Sequence, residues 1–160
     1  MRFFTASVAF LCLLGPQVQR RLRVETYLIP AKMEPRWITI EYGNPNCPAL
    51  NENALGREVV IPESGFLCTS SSRYEGWHRV RYYLVGGSKG RISLRANERI
   101  HRRGSFNLRD SSSGADKIIC DVSGEEFFYG LQKELTYENP ISKDESFLKL
   151  HPGCRLPSRY

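Results

Sequence analysis

Few residues of this 160-residue chain have the spacing that chemistry requires. Gly86-Gly87-Ser88-Lys89-Gly90 spells G-x-S-x-G, the frame in which a strained strand-to-helix turn exposes a nucleophilic serine. A strand precedes it, but Ile92 and Leu94 alternate with Ser93 and Arg95 where the hydrolase needs a helix. The segment therefore reads as a glycine-rich hairpin turn. The histidines, His78, His101 and His151, show no i+2 or i+4 pairing, so no metal-ligand spacing is present. His78 is expected to point inward beside Trp77 as a packed residue. Glu125-Glu126 and Asp144-Glu145 are adjacent carboxylates. Neighbours on a strand face opposite ways, so Glu125 and Glu126 form no shared-proton dyad and read as turn and rim charges. No phosphate loop, calcium loop or zinc-protease signature appears, and no cofactor or metal is expected.

The best candidate is a binding row. In Trp77-His78-Arg79-Val80-Arg81-Tyr82-Tyr83-Leu84-Val85, alternation puts Trp77, Arg79, Arg81 and Tyr83 on one face, with Arg95 on the neighbouring strand. Guanidinium forks grip carboxylate or phosphate, and aromatic rings stack on sugars. The plainer reading of the same row is self-stacking on a solvated face.

These residues must be positioned by strands, because period-two patterns dominate. Val24–Pro30 and Arg36–Tyr42 read as strands joined in a hairpin, with Ile38, Ile40 and Tyr42 sharing a face. Turn chemistry at Gly43–Pro48 opens a loop that runs to Leu55. Strands are expected at 57–61, 66–69, 77–85, 91–95, 117–122 and 127–130, with turns at 62–65, 86–90 and 123–126. Residues 99–108 are ambiguous, and only 131–137 and 143–150 look weakly helical. Short strands at this spacing imply one all-β, mostly antiparallel, sandwich-like domain with an irregular or weakly helical C-terminal segment.

Charge and cysteines bound the setting. The net charge is +6, and nine arginines with Lys89 outweigh Glu75 and Glu98 between Arg73 and Arg109. Such a stretch reads first as a solvated strand surface and second as a face for acidic polysaccharide, phosphate or lipid headgroups; the partner expected in that case is an anionic glycan or an envelope protein, and nucleic acid is not expected for an exported chain. Export is expected because Arg2 precedes an apolar run from Phe3 to Leu14 that Gly15-Pro16 ends. Residues 1–19 read as a signal peptide and 20–160 as the domain. A lipid-modified Cys12 fits poorly after Leu11, and an uncleaved N-terminal anchor beside Arg20, Arg21 and Arg23 is the alternative. No other segment is apolar enough to span a membrane. Cys47, Cys68, Cys120 and Cys154 then suggest two disulfides, with three pairings open.

Tyr27-Leu28-Ile29-Pro30, Trp37–Tyr42, Ile61-Pro62-Glu63-Ser64-Gly65-Phe66-Leu67 and Phe127-Phe128-Tyr129-Gly130 resemble a family of small bacterial exported domains, itself a domain of unknown function. The resemblance spans roughly residues 24–130 and implies an exported, mostly β domain of bacterial origin. Its motifs are structural punctuation and carry over no active-site residue, and the four cysteines depart from it. The expected function is a non-catalytic binding or structural module of the periplasm, envelope or extracellular space. The alternatives are a glycan-acting or other hydrolase with a dispersed site, and a membrane-tethered accessory subunit. Two or more acids converging in a concave pocket, or His78 beside an acid or serine, would point to the hydrolase, and a flat basic face to binding.

Overall fold

The computed structural model describes residues 23–88, 90–108, 121–135, 145–152 and 154. The fold is all-β and sandwich-like, built from two mixed sheets. Strands β1 (Val24–Pro30), β3 (Asn51–Asn53), β4 (Gly56–Val60), β6 (Arg79–Gly87) and β7 (Gly90–Leu94) form the first sheet, in the order β3-β4-β1-β6-β7. Strands β2 (Arg36–Tyr42), β5 (Phe66–Cys68), β8 (Ile100–Leu108) and β9 (Val122–Tyr129) form the second, in the order β5-β2-β9-β8. Short helices α1 (Ala96–Arg99) and α2 (Glu145–Leu150) and a 3-10 turn at Gln132–Glu134 complete the described elements.

Alternation explains why the sheets stack. Tyr27, Ile29, Val59 and Tyr82 from the first sheet meet Ile38, Ile40, Phe127 and Tyr129 from the second in one buried cluster. Ring contacts lock it: Tyr27 stacks on Tyr82 at 5.0 Å and meets the edge of Phe127 at 5.5 Å. The outer face of the second sheet is covered as well. Phe147 of α2 packs edge-on against Phe66, and the His151 ring nitrogen lies 2.8 Å from the buried Glu41 carboxylate.

Several sequence expectations need correction. β1 and β2 are not a hairpin: they lie in different sheets, and β1 pairs in parallel with β4 and β6. With β2–β5 also parallel, antiparallel ladders hold only a small majority. Pairing partners are set by hydrophobic faces far apart in sequence, which a local reading does not contain. Residues 123–126 are not a turn, since β9 runs unbroken from 122 to 129. Gly124 invites the error, but it is there because β2 and β8 crowd the strand. A Cβ at this position would run into the Ile40 carbonyl and the Phe106 ring. β3 interrupts the loop expected between 43 and 55. The Gly86–Gly90 segment does join β6 to β7 as an antiparallel hairpin, so the G-x-S-x-G frame lacks its helix. The expected signal peptide, residues 117–120 of the strand expected at 117–122, and Cys120 lie outside the described residues.

Candidate functional site

At one end of the sandwich the apolar filling gives way to ions. Glu25 of β1 and Arg57 of β4 are 1% and 2% exposed. Arg57 sends Nε (2.8 Å) and Nη2 to Glu25 Oε1, and Nη1 to the Ser72 carbonyl. Its guanidinium lies over the Tyr74 ring at 3.8 Å and 5.1 Å from the Tyr42 ring. The second carboxylate comes from β9, where Glu125 is buried. The Tyr27 hydroxyl stands 2.9 Å from Glu25 Oε2 and 2.9 Å from Glu125 Oε2. One phenolic proton cannot serve both acceptors, and Arg103 closes the gap. Its Nη2 lies 3.3 Å from Glu25, 2.9 Å from Glu125 and 3.0 Å from the Tyr27 oxygen.

Arg103 reaches this position through a bulge. The β8–β9 register slips between His101 and Gly104, and Arg102 takes φ 53°. The extra residue turns Arg103 inward from an edge strand. A left-handed arginine costs of order 1 kcal/mol, so the surrounding structure must hold it.

Two buried acids and two arginines balance in charge. Burial alone would raise the Glu25 carboxyl, but the charge and hydrogen bonds of Arg57, with Tyr27 and Arg103, hold it below the ordinary 4.5. Burial and the neighbouring carboxylates push the Tyr27 and Tyr42 phenols above the usual range. For Arg57 and Arg103 burial works against the cation, yet the neighbouring anions and phenols carry both above the ordinary arginine value.

Above this layer opens a cleft of about 500 Å³, lined by residues that include Tyr42, Ser72, Arg73, Ser105, Asn107 and Ser123. Glu75 stands on its wall. Arg73 is half exposed and 3.9 Å from Glu125 Oε1, making it the cation left over once the buried pairs are matched. Among the described residues no group of three or more His, Cys, Asp or Glu could hold a metal.

The sequence-predicted row is only partly assembled. Arg79, Arg81 and half-buried Tyr83 share the outer face of β6, and Arg95 follows β7, paired to Glu98 at 3.4 Å. Trp77 is not on the strand; it stands in the preceding loop, 96% exposed. His78 is in that loop too. It packs inward as expected, but against an ion, with Nε2 3.3 Å from Glu25 Oε2 and Nδ1 donating to the Gly76 carbonyl at 3.1 Å. Cys47 and Cys68 form a disulfide, and Cys154 is disulfide-bonded. Glu125 is no rim charge, since it lies between the sheets. A signal for it was available. Glu25 is in phase with Tyr27 and Ile29, Arg57 with Val59 and Ile61, and Glu125 with Phe127 and Tyr129. Three charges fall on the apolar rows of their own strands, the mark of a buried network.

The profile of a family described as "Family of unknown function (DUF6843)" matches residues 22–128. The chain belongs to that family. In this DUF6843 member the match takes in Glu25, Arg57, Arg103 and Glu125, so the whole ion layer falls within the family's extent. No curated protein matches. One solved structure, described as "Putative Lipoprotein from Bacillus anthracis", is similar at 19% identity and TM-score 0.49, covering 80% of this chain and 88% of that one.

Proposed function

We propose that this family member is an exported envelope module whose cleft binds a hydroxyl-rich glycan segment, and that it does so without catalysis. The observation behind the proposal is the cleft itself. Its volume is within the range of small-ligand pockets, and Ser72, Ser105, Asn107 and Ser123 offer both donors and acceptors. The ion layer beneath would make the floor rigid, so little ordering cost falls on binding. Arg73 would accept an acidic substituent, which suits an anionic glycan. Export is supported by the apolar leader and by cysteines oxidised to disulfides, which a reducing cytosol disfavours.

The test is titration of isotope-labelled protein with soluble neutral and acidic oligosaccharides. Amide shifts should cluster at Ser72, Arg73, Ser105, Asn107 and Ser123, and Arg73→Ser should weaken only the acidic series. An absence of saturable shifts, or shifts confined to another face, would overturn the reading.

A hydrolase is the second reading, favoured by His78 beside Glu25 and by the convergence of Glu25 and Glu125 on Tyr27. Against it, Arg57 and Arg103 already hold the carboxylates a substrate would need. Oligosaccharide cleavage lost on Glu125→Gln would establish it.

A further inference from the structure

The two outer faces of the sandwich differ. That of the second sheet lies under α2, while that of the first carries Arg79, Arg81 and Tyr83 of β6 beside Val24, Thr26 and Leu28 of β1 and Val60 of β4. Arg91 on this face is matched to Glu58 at 2.8 Å, and Arg95 to Glu98. Arg79 and Arg81 are exposed and have no acidic partner among the described residues. Val60, 56% exposed, lies on the same face two strands away, level with Tyr83. Two residues before Arg79, Trp77 presents almost its whole indole to solvent.

The position of this tip matters. The Arg79 amide donates to the Arg23 carbonyl at 2.9 Å, so the Trp77 loop flanks the point where the preceding 22 residues join the domain. Those residues include Arg20, Arg21 and the apolar run from Phe3 to Leu14.

We infer that this face docks on an anionic phospholipid bilayer, with Trp77 entering the headgroup boundary and Arg79 and Arg81 meeting lipid phosphates. Indoles favour that boundary because one edge is polar and the body apolar. Unmatched arginines supply the complementary charge. A polysaccharide would use the arginines and could stack a sugar on the indole, but it gives no reason for this tip to stand where the segment carrying the apolar run joins the domain. This proposal is independent of the cleft: a membrane-docked domain can keep its cleft empty, and a glycan binder need not touch lipid.

The experiment uses the exported protein as recovered from cells, sedimented with vesicles of phosphatidylglycerol and phosphatidylcholine or of phosphatidylcholine alone. Partitioning should be confined to the anionic vesicles, with a blue shift of tryptophan emission. Arg79→Ser with Arg81→Ser should reduce partitioning about fivefold for each arginine removed. The circular dichroism spectrum should be unchanged, because both side chains face water. Trp77→Ala should abolish the shift, since the other tryptophan, Trp37, is already packed edge-on against Phe128. A retained apolar leader would carry the protein onto neutral vesicles as well, so confinement to the anionic vesicles is what separates the two. Equal partitioning on neutral vesicles, no shift, or partitioning untouched by the arginine changes would overturn the inference. So would retention by a soluble acidic polysaccharide without any vesicle binding.

Discussion

Replacing Arg57 by methionine tests whether the ion layer is a matched unit. Methionine keeps an unbranched chain between the Tyr42 and Tyr74 rings and removes the charge. The side chain lost is buried and donates three hydrogen bonds, two to Glu25 and one to the Ser72 carbonyl. Breaking a buried pair by deleting one partner costs about 3–5 kcal/mol. Arg103 remains 3.3 Å from Glu25 Oε2, which places the loss near the lower end, about 3 kcal/mol. For a domain of this size that is roughly a 10–15 °C fall in Tm. The interior after the change holds Glu25 and Glu125 against Arg103 alone. Adding Glu25→Gln restores the balance, so the double variant should be more stable than Arg57→Met alone. The sign with pH is fixed by Glu25. Its folded pKa is depressed, so its contribution is present above about pH 4.5 and lost as pH falls through the lower folded value. The wild-type and Arg57→Met curves should converge in acid. Urea unfolding followed by circular dichroism between neutral pH and acid measures this. A loss under about 1 kcal/mol, or a double variant no more stable than the single, would refute the matched-unit argument.

Other outcomes follow from the same structure. Gly124→Ala should cost several kcal/mol in urea unfolding because the new methyl meets the Ile40 carbonyl and the Phe106 ring, whereas Gly104→Ala, with open space around it, should change stability by less than about 1 kcal/mol. Cys47→Ser with Cys68→Ser removes a bridge across a sequence separation of 21 and should cost about 3 kcal/mol, read as a lower urea midpoint. Tyr27, Tyr42, Tyr82 and Tyr129 are all raised above 10.0 in the fold, first by burial. Their stabilisation is present below about pH 10 and is lost as pH climbs toward the folded values. Phenolate absorbance of these groups should therefore appear together with unfolding rather than before it.

The strand faces were legible because alternation is a local signal. Tyr82 is buried, with Val80 and Leu84 packed against the core, while Arg79 and Arg81 lie outward, as the pattern of β6 implied. Sheet membership was not legible. Nothing within Val24–Tyr42 reveals that β1 seeks β4 and β6, more than twenty residues away in sequence, while β2 seeks β5 and β9. The candidate site was missed for a different reason. A charge on a strand reads as solvated, and Glu25, Arg57 and Glu125 are identified as buried only when their phase is set against their apolar neighbours. Arg103 could not be found even so, because the bulge at Arg102 reverses the parity that points it inward.

The central place of β1 bears on how the molecule is made. Synthesis delivers β1 first among the strands, yet both of its rims wait for partners, β4 ending at residue 60 and β6 at residue 87. Both edges of this apolar ribbon stay open until residue 60 has emerged, and one stays open to any other nascent chain until more than half the chain is out. Such distant parallel pairings close slowly. A holdase acting on the first sixty residues should therefore raise the yield of native protein more than one acting on the tail.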